Sequence, residues 1–336
     1  MAAKKKKKGE PGEVAPPTTP PPALTKVGTG SVIEKFKSPA GVSCPGFWNF
    51  KPYNGCGFDC QWCYLKGSRF RREGRDAMDP HQKYERGAIG VLEKALETIP
   101  GAEVLNCGEY ADGLLFEGFL INKAIPRIHA AFVKAREADV KAGHKLLIVT
   151  KSVSEQTITN KDSACNCVIF SHSVNAAAIS RQWELKAPHP WSRLKASATA
   201  ARFGFETRLR IGPLIPVNHW QDGYLELCEK IMEYTPNVTV ITLDPIIATK
   251  ATIGNCITER KERSWFKYCT EDTAFGKRVP ATQRIAMYHF IIFTLRSMGY
   301  KGKFGLCKET PDVWAKLKEE KVLGHKPGEV KCNCQI

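Results

Sequence analysis

The 336-residue sequence contains no apolar run approaching the roughly 20 residues that a membrane-spanning helix requires. Its lysine-rich start, MAAKKKKKGEPGEVAPPTTPPPALTK, lacks the apolar block of a secretory signal. No segment repeats with a period of about 20 to 50 residues, so solenoids and propellers are set aside. A disulfide scaffold is disfavoured as well: the 13 cysteines are odd in number and unevenly spaced along a long chain, which suits reduced thiols and metal ligation better. These absences predict a soluble, intracellular protein of the cytoplasm, a reducing compartment, with no membrane partner. One further absence is local. Cys56, Cys60 and Cys63 stand together in GCGFDCQWCYL, and the nearest other cysteine, Cys44, lies twelve residues upstream. A closed structural zinc site takes four ligands, and here the fourth is missing.

What is present in excess is positive charge. The formal net charge is +16, of which residues 1–26, with six Lys and two Glu, supply +4, leaving +12 on the remainder. A lysine block followed by a proline-rich spacer has too little apolar content to fold, so residues 1–30 are expected to form a disordered basic tail. A body at +12 attracts polyanions with or without that tail. A second basic cluster, Arg69-Phe70-Arg71-Arg72-Glu73-Gly74-Arg75, directly follows the cysteines. It reads equally well as a cationic rim for a phosphate-bearing substrate and as a solvated loop.

The body is 43% hydrophobic over the whole chain, enough to bury a sizeable core. Short apolar runs alternate with amphipathic stretches. The predicted strands are a first one near Phe47 to Tyr53, then Glu103 to Cys107, Lys145 to Thr150, Cys167 to Ser171, Thr207 to Ile211 and Val238 to Leu243. Helices are predicted over Tyr84 to Ile99, Ile121 to Ala142, Trp191 to Phe203, Trp220 to Tyr234 and Ala281 to Met298. Strands separated by helices need crossover connections, hence a parallel sheet, and about six such units make a complete or partial barrel. Polar groups recur where the strands end: the cysteine loop, Asn106 to Asp112, Thr150-Lys151-Ser152, Ser171 to Asn175, and Arg210 to Pro213. In a parallel barrel those ends share one face, where chemistry is assembled.

A four-iron cluster is normally held by four thiolates, so three leave one iron open to a small ligand. With Cys56, Cys60 and Cys63 spaced Cys-x3-Cys-x2-Cys ahead of a βα series, the chain resembles the radical S-adenosylmethionine (radical SAM) superfamily. Several elements, in order, are similar to the spore photoproduct lyase-like branch: Cys63-Tyr64-Leu65, Cys107-Gly108-Glu109, Thr150-Lys151, Phe170-Ser171, the run from Trp183-Glu184 through Arg193-Leu194 to Arg210-Ile211-Gly212-Pro213, and Leu306 to Pro311. The resemblance implies an α/β fold, a partial (β/α)6 TIM-type barrel over 31–250, with 251–336 as an extension that completes it and contacts substrate. It implies a 4Fe-4S cluster on Cys56, Cys60 and Cys63, and S-adenosylmethionine bound by Trp62, Gly108, Glu109, Lys151, Ser171 and Arg210. A reductase or flavodoxin-type electron donor would serve the cluster. The expected chemistry is a 5′-deoxyadenosyl radical acting on a pyrimidine base in nucleic acid, DNA favoured.

Within that resemblance, Cys107 and Tyr64 take catalytic roles, Cys107 as hydrogen donor after the second strand. Cys107 is equally readable as a small apolar residue ending a buried strand. The branch has tyrosines on both sides of its last cluster cysteine, whereas here one position is Trp62, which lacks a phenolic O–H. That substitution favours base modification or rearrangement over photodimer repair. A non-catalytic iron–sulfur nucleic-acid-binding protein is the alternative from another class. The Cys165/Cys167 and Cys332/Cys334 pairs each offer two thiolates, with nothing in the sequence to say that they meet. His172 stands in the fourth-strand loop, as a contact to the cofactor ribose or as part of the barrel mouth. Trp265, Phe266 and Tyr268, near Arg260, Lys261, Arg263 and Lys267, fit a nucleic-acid stacking surface or, preferably, the packing of an insertion against the barrel.

Overall fold

The structure, a computed structural model, describes residues 32–54, 56–67, 81–82, 86–99, 101–114, 124–138, 143–159, 167–258, 261–324 and 332–335. The basic tail, the Arg69 to Arg75 cluster, Cys165 and Arg260 lie outside the described residues.

Eight strands form one sheet in chain order: β1 (Ile33–Lys35), β2 (Trp48–Phe50), β3 (Val104–Asn106), β4 (Lys145–Thr150), β5 (Val168–Val174), β6 (Glu206–Leu214), β7 (Val240–Pro245) and β8 (Lys303–Leu306). β1 runs antiparallel to β2, and every pairing from β2 to β8 is parallel. The two edges approach each other where Ser43 donates its N–H to the Glu309 carbonyl at 2.7 Å. This is the arrangement of a partial barrel.

The six predicted strands are therefore present and parallel, with a seventh, β8, that the pattern did not mark. Its four residues, KFGL, begin with Lys and contain Gly, and so resemble a turn more than a strand. β4 and β5 read as near-continuous apolar runs because both of their faces are covered. The alternation within them separates two environments. Leu146, Ile148, Val168 and Phe170 pack outward beneath helices, while Leu147, Val149 and Ile169 pack with Val104 inside the barrel.

Eight helices concern the site: α1 (Arg86–Thr98), α2 (Ala124–Ala138), α3 (Ala177–Trp183), α4 (Pro190–Arg202), α5 (Trp220–Tyr234), α6 (Lys250–Thr258), α7 (Ala281–Ser297) and α8 (Pro311–Glu319). Pro190 opens α4 at a position whose missing N–H costs nothing, and the His189 ring accepts from the Trp191 N–H. Leu92 and Leu96, one turn apart, turn α1 onto the sheet. None of the helices among the described residues is long and apolar enough to cross a membrane. Trp265 is 1% exposed and joins the main core, and Phe266 and Tyr268 pack against it. The Trp265 region therefore packs an insertion onto the barrel, and its indole is not available to stack on a base.

Candidate active site

The loop carrying Cys56, Cys60 and Cys63 leaves β2 and is held from two sides. On one side the Gln61 N–H donates to the Trp183 carbonyl at 2.8 Å, the Lys186 N–H donates to the Phe58 carbonyl at 3.0 Å, and Cys60 bridges Glu184. On the other, Lys261 Nζ lies 3.2 Å from Asp59 Oδ1, the Glu262 N–H donates to Gln61 Oε1 at 3.1 Å, and Cys256 Sγ donates to the Gln61 carbonyl. Asp59 sits at φ 51, a left-handed conformation that a short carboxylate side chain tolerates, and that turn lets three cysteines crowd into eight residues. Trp62 is buried, its ring 5.9 Å from that of Trp183.

Burial pushes the Cys60 thiol up to about 12 against the opposing pull of Lys151. Burial likewise raises Cys56, reinforced by Asp112, Cys60 and Cys63. Buried thiols that lie within electrostatic reach of one another suit a positively charged group which replaces their protons. Among the described residues no three His, Cys, Asp or Glu converge as ligands of a single ion. The cysteines of a polynuclear cluster each take a different iron and need not converge, so a three-thiol donor set of this kind fits an iron–sulfur cluster.

Around this loop stand charged groups from the other strand ends. After β3, the Gly108 N–H donates to Asn106 Oδ1 at 2.8 Å, and a side chain at Gly108 would collide with Val149. The absence of one brings the backbone after β3 against β4. Glu109 is buried, with its Oε2 3.4 Å from Lys308 Nζ and 3.4 Å from the Tyr64 hydroxyl, which also donates to the Glu109 carbonyl. Burial alone would raise the Glu109 carboxyl, but Lys308 and Arg210 overcome it and hold it below the usual carboxylate range. Asp112 crosses to β4, accepting from Thr150 Oγ1 at 2.6 Å, the Lys151 N–H at 2.5 Å and the Leu114 N–H at 3.1 Å.

Lys151 is opposed by burial, yet Cys60 and Glu184 keep its ammonium charged, and its Nζ lies 3.7 Å from Glu184 Oε1. Glu184 is completed by Arg193 at 2.6 Å and Ser180 at 2.8 Å, so the buried carboxylate is paired and hydrogen-bonded. Arg210 lies 3.1 Å from Asp244 and donates to Cys307 Sγ at 2.5 Å. Ser171 faces the barrel interior and accepts from Asn333 Nδ2 at 2.6 Å.

The structure thus gathers Cys56, Cys60, Trp62, Cys63, Tyr64, Glu109, Lys151 and Arg210 at one end of the barrel. It does not bring Cys107 there. That side chain, 4% exposed, belongs to the layer of Leu96, Leu105, Leu114 and Ile128 under the helices, the outward side of the β3 alternation. His172 also points away from the mouth. Its ring stacks on Phe170 at 6.5 Å, and burial holds it down to about 3, so it is a neutral core residue. Sequence reasoning marked Lys308 only as part of the Leu306 to Pro311 element and missed its role, since its partner Glu109 is 199 positions away. It also missed the buried anchor behind it, where Glu309 accepts from Arg278 at 2.9 Å, from Arg284 at 3.0 Å and from Tyr288 at 2.6 Å.

No protein-family model matches this sequence, and no curated protein sequence does. Solved structures do match. A spore photoproduct lyase complexed with dinucleoside spore photoproduct is 16% identical, covering 77% of this chain and 75% of that chain with a TM-score of 0.58. A variant of that enzyme with bound AdoMet and dinucleoside spore photoproduct is 15% identical over 76% of this chain and 74% of that one, with a TM-score of 0.57. The chain therefore has the partial-barrel fold of the radical SAM structures solved for spore photoproduct lyase, which is the architecture that its cysteine loop and strand order resemble.

Proposed function

We propose that the protein is a radical SAM enzyme in which Cys56, Cys60 and Cys63 hold a 4Fe-4S cluster. The single observation that supports this best is the placement of the three-cysteine loop at the end of β2, with the Lys151 ammonium and the Glu109 carboxylate in reach of the same loop. When bound, such a cluster supplies the electron that splits S-adenosylmethionine to a 5′-deoxyadenosyl radical. The chain's own part is to bind and orient that cofactor. A zwitterionic amino acid end needs one anion and one cation held apart at fixed positions, and Glu109 and Lys151 are such a pair. The Gly108 backbone leaves room beside Glu109, Trp62 offers an aromatic surface within the cysteine loop, and Ser171 and Arg210 complete the polar lining. Tyr64, anchored to Glu109 and 45% exposed, stands between the cluster loop and the mouth.

The substrate class that fits is a pyrimidine base in nucleic acid, DNA first. The body carries +12 outside residues 1–26, and the solved structures with this fold include complexes with a dinucleoside photoproduct. A base within a duplex must leave the stack to reach a barrel interior. Trp62 in place of a tyrosine favours modification or rearrangement over repair. The test is anaerobic turnover of the reconstituted protein with dithionite, S-adenosylmethionine and single- or double-stranded DNA and RNA, followed by mass spectrometry of the digested nucleosides. Release of 5′-deoxyadenosine together with a new nucleoside is expected. Zinc in place of iron after anaerobic reconstitution, without 5′-deoxyadenosine, would overturn the reading.

A further inference from the structure

Residues 332–335 return to the barrel interior and are fastened there. Asn333 donates from Nδ2 to Ser171 Oγ at 2.6 Å and to the Leu209 carbonyl at 3.3 Å; its N–H donates to Thr242 Oγ1 at 3.0 Å. Arg208 donates to the carbonyls of Asn333 and Gln335 at 2.7 and 2.6 Å. Ser171, Leu209 and Thr242 lie midway along β5, β6 and β7, so this segment forms a floor inside the barrel beneath the strand ends. The segment places two thiols at that level. Cys334 packs with Val104, Leu147, Val149 and Ile169 on the inner face, and Asn106 Nδ2 lies 3.8 Å from its sulfur. The Cys334 N–H donates to Cys332 Sγ at 3.3 Å. The electrostatic surroundings of Cys334 are those of the mouth itself: Glu109, Arg210 and Lys308. Cys107, by contrast, is on the other side of the sheet.

We propose that the Cys332–Cys334 pair, and not Cys107, returns the hydrogen atom to the substrate radical. The proposal rests on the radical reading above and names the site that closes the reaction. A carbon-centred radical on the pyrimidine needs a weak X–H bond on the inner face of the barrel, and these thiols hold that position. An S–H bond of the pair breaks homolytically and a C–H bond forms on the substrate. The unpaired electron is left on that sulfur as a thiyl radical, on the inner face where Cys334 packs. One electron from the low-potential reductant that also reduces the cluster, with one proton from solvent, restores the thiol.

The test uses the full chain and the variants Cys332→Ser, Cys334→Ser and Cys107→Ala. Serine keeps size and hydrogen bonding, but its O–H bond is too strong to surrender a hydrogen atom to carbon. In cluster-free protein, dibromobimane is expected to bridge Cys332 and Cys334 and to lose that bridge in either serine variant. Failure to bridge in the wild type would overturn the juxtaposition. After reconstitution, both serine variants are expected to release 5′-deoxyadenosine while the final nucleoside falls at least tenfold and radical side products appear. Cys107→Ala is expected to keep the wild-type product. Wild-type products from the serine variants, or collapse in Cys107→Ala alone, would overturn the proposal and leave the radical reading standing. No 5′-deoxyadenosine from the wild type would remove that reading, and the proposal with it.

Discussion

The Lys308 ammonium lies 3.4 Å from the Glu109 carboxylate, joining the loop after β3 to the turn after β8 across the candidate mouth. Both side chains are largely buried, so each compensates a charge that water no longer reaches. Lys308→Met is expected to cost about 2–3 kcal/mol, somewhat less than a fully unpaired buried charge because Arg210 remains nearby. The double variant Lys308→Met/Glu109→Gln is expected to recover at least half of the loss. Urea unfolding of the wild type, Lys308→Met, Glu109→Gln and the double variant checks this, and additive losses would show that the two residues are not coupled.

Cluster assembly depends on three thiolates and not on the fourth cysteine in sequence. Cys56→Ala, Cys60→Ala and Cys63→Ala are each expected to lose the iron–sulfur absorbance and all 5′-deoxyadenosine release. Cys44→Ala is expected to keep both. Loss of the cluster in Cys44→Ala would make it a ligand and close the open iron site.

The close approach of the β3 and β4 ends has its own consequence. A Cβ at Gly108 would lie 2.9 Å from the Val149 carbonyl oxygen and closer still to the Val149 side chain. Gly108→Ala is therefore expected to destabilise the fold by about 1–3 kcal/mol through overpacking. Cofactor affinity, read by equilibrium dialysis with S-adenosylmethionine, is expected to fall with it, since Glu109 is the next residue. Unchanged stability would mean that the strand ends separate freely.

His129 is buried beneath the sheet, its two ring nitrogens without a hydrogen-bond partner among the described residues, and burial holds it down to about 3. The unfolded chain takes up this proton near pH 6.5 and the folded chain does not. Stability from this residue is thus complete above about pH 7 and declines as pH falls, by up to about 1.4 kcal/mol per unit. His129→Leu is expected to flatten that slope between pH 6 and 4 while leaving the behaviour above pH 7.5 parallel to wild type. Identical slopes would place the acid sensitivity elsewhere.

Periodicity and motif spacing already contained the order of six parallel strands, the helices between them and the three-cysteine loop. These are local properties: a β-branched run such as KLLIVT, an amphipathic α1, and cysteines four and three residues apart need only their neighbours in the chain. The strand β8 escaped because KFGL is stabilised by pairing with β7 rather than by its own composition. The side of the sheet on which a cysteine falls also depends on strand register. Cys107 directly follows a strand in the expected place, yet the alternation through Leu105 turns it under the helices. Cys334, 228 positions from Asn106, occupies the inner face instead. Likewise Glu109 shares its charge with Lys308, and the Lys308 turn is held by the Glu309 carboxylate that Arg278, Arg284 and Tyr288 bury. Buried charges must find partners wherever the fold brings them. The amino-acid sequence by itself determined which groups are available for chemistry, and the tertiary structure alone decided which of them face one another, because closing the barrel joins residues that no local interaction connects.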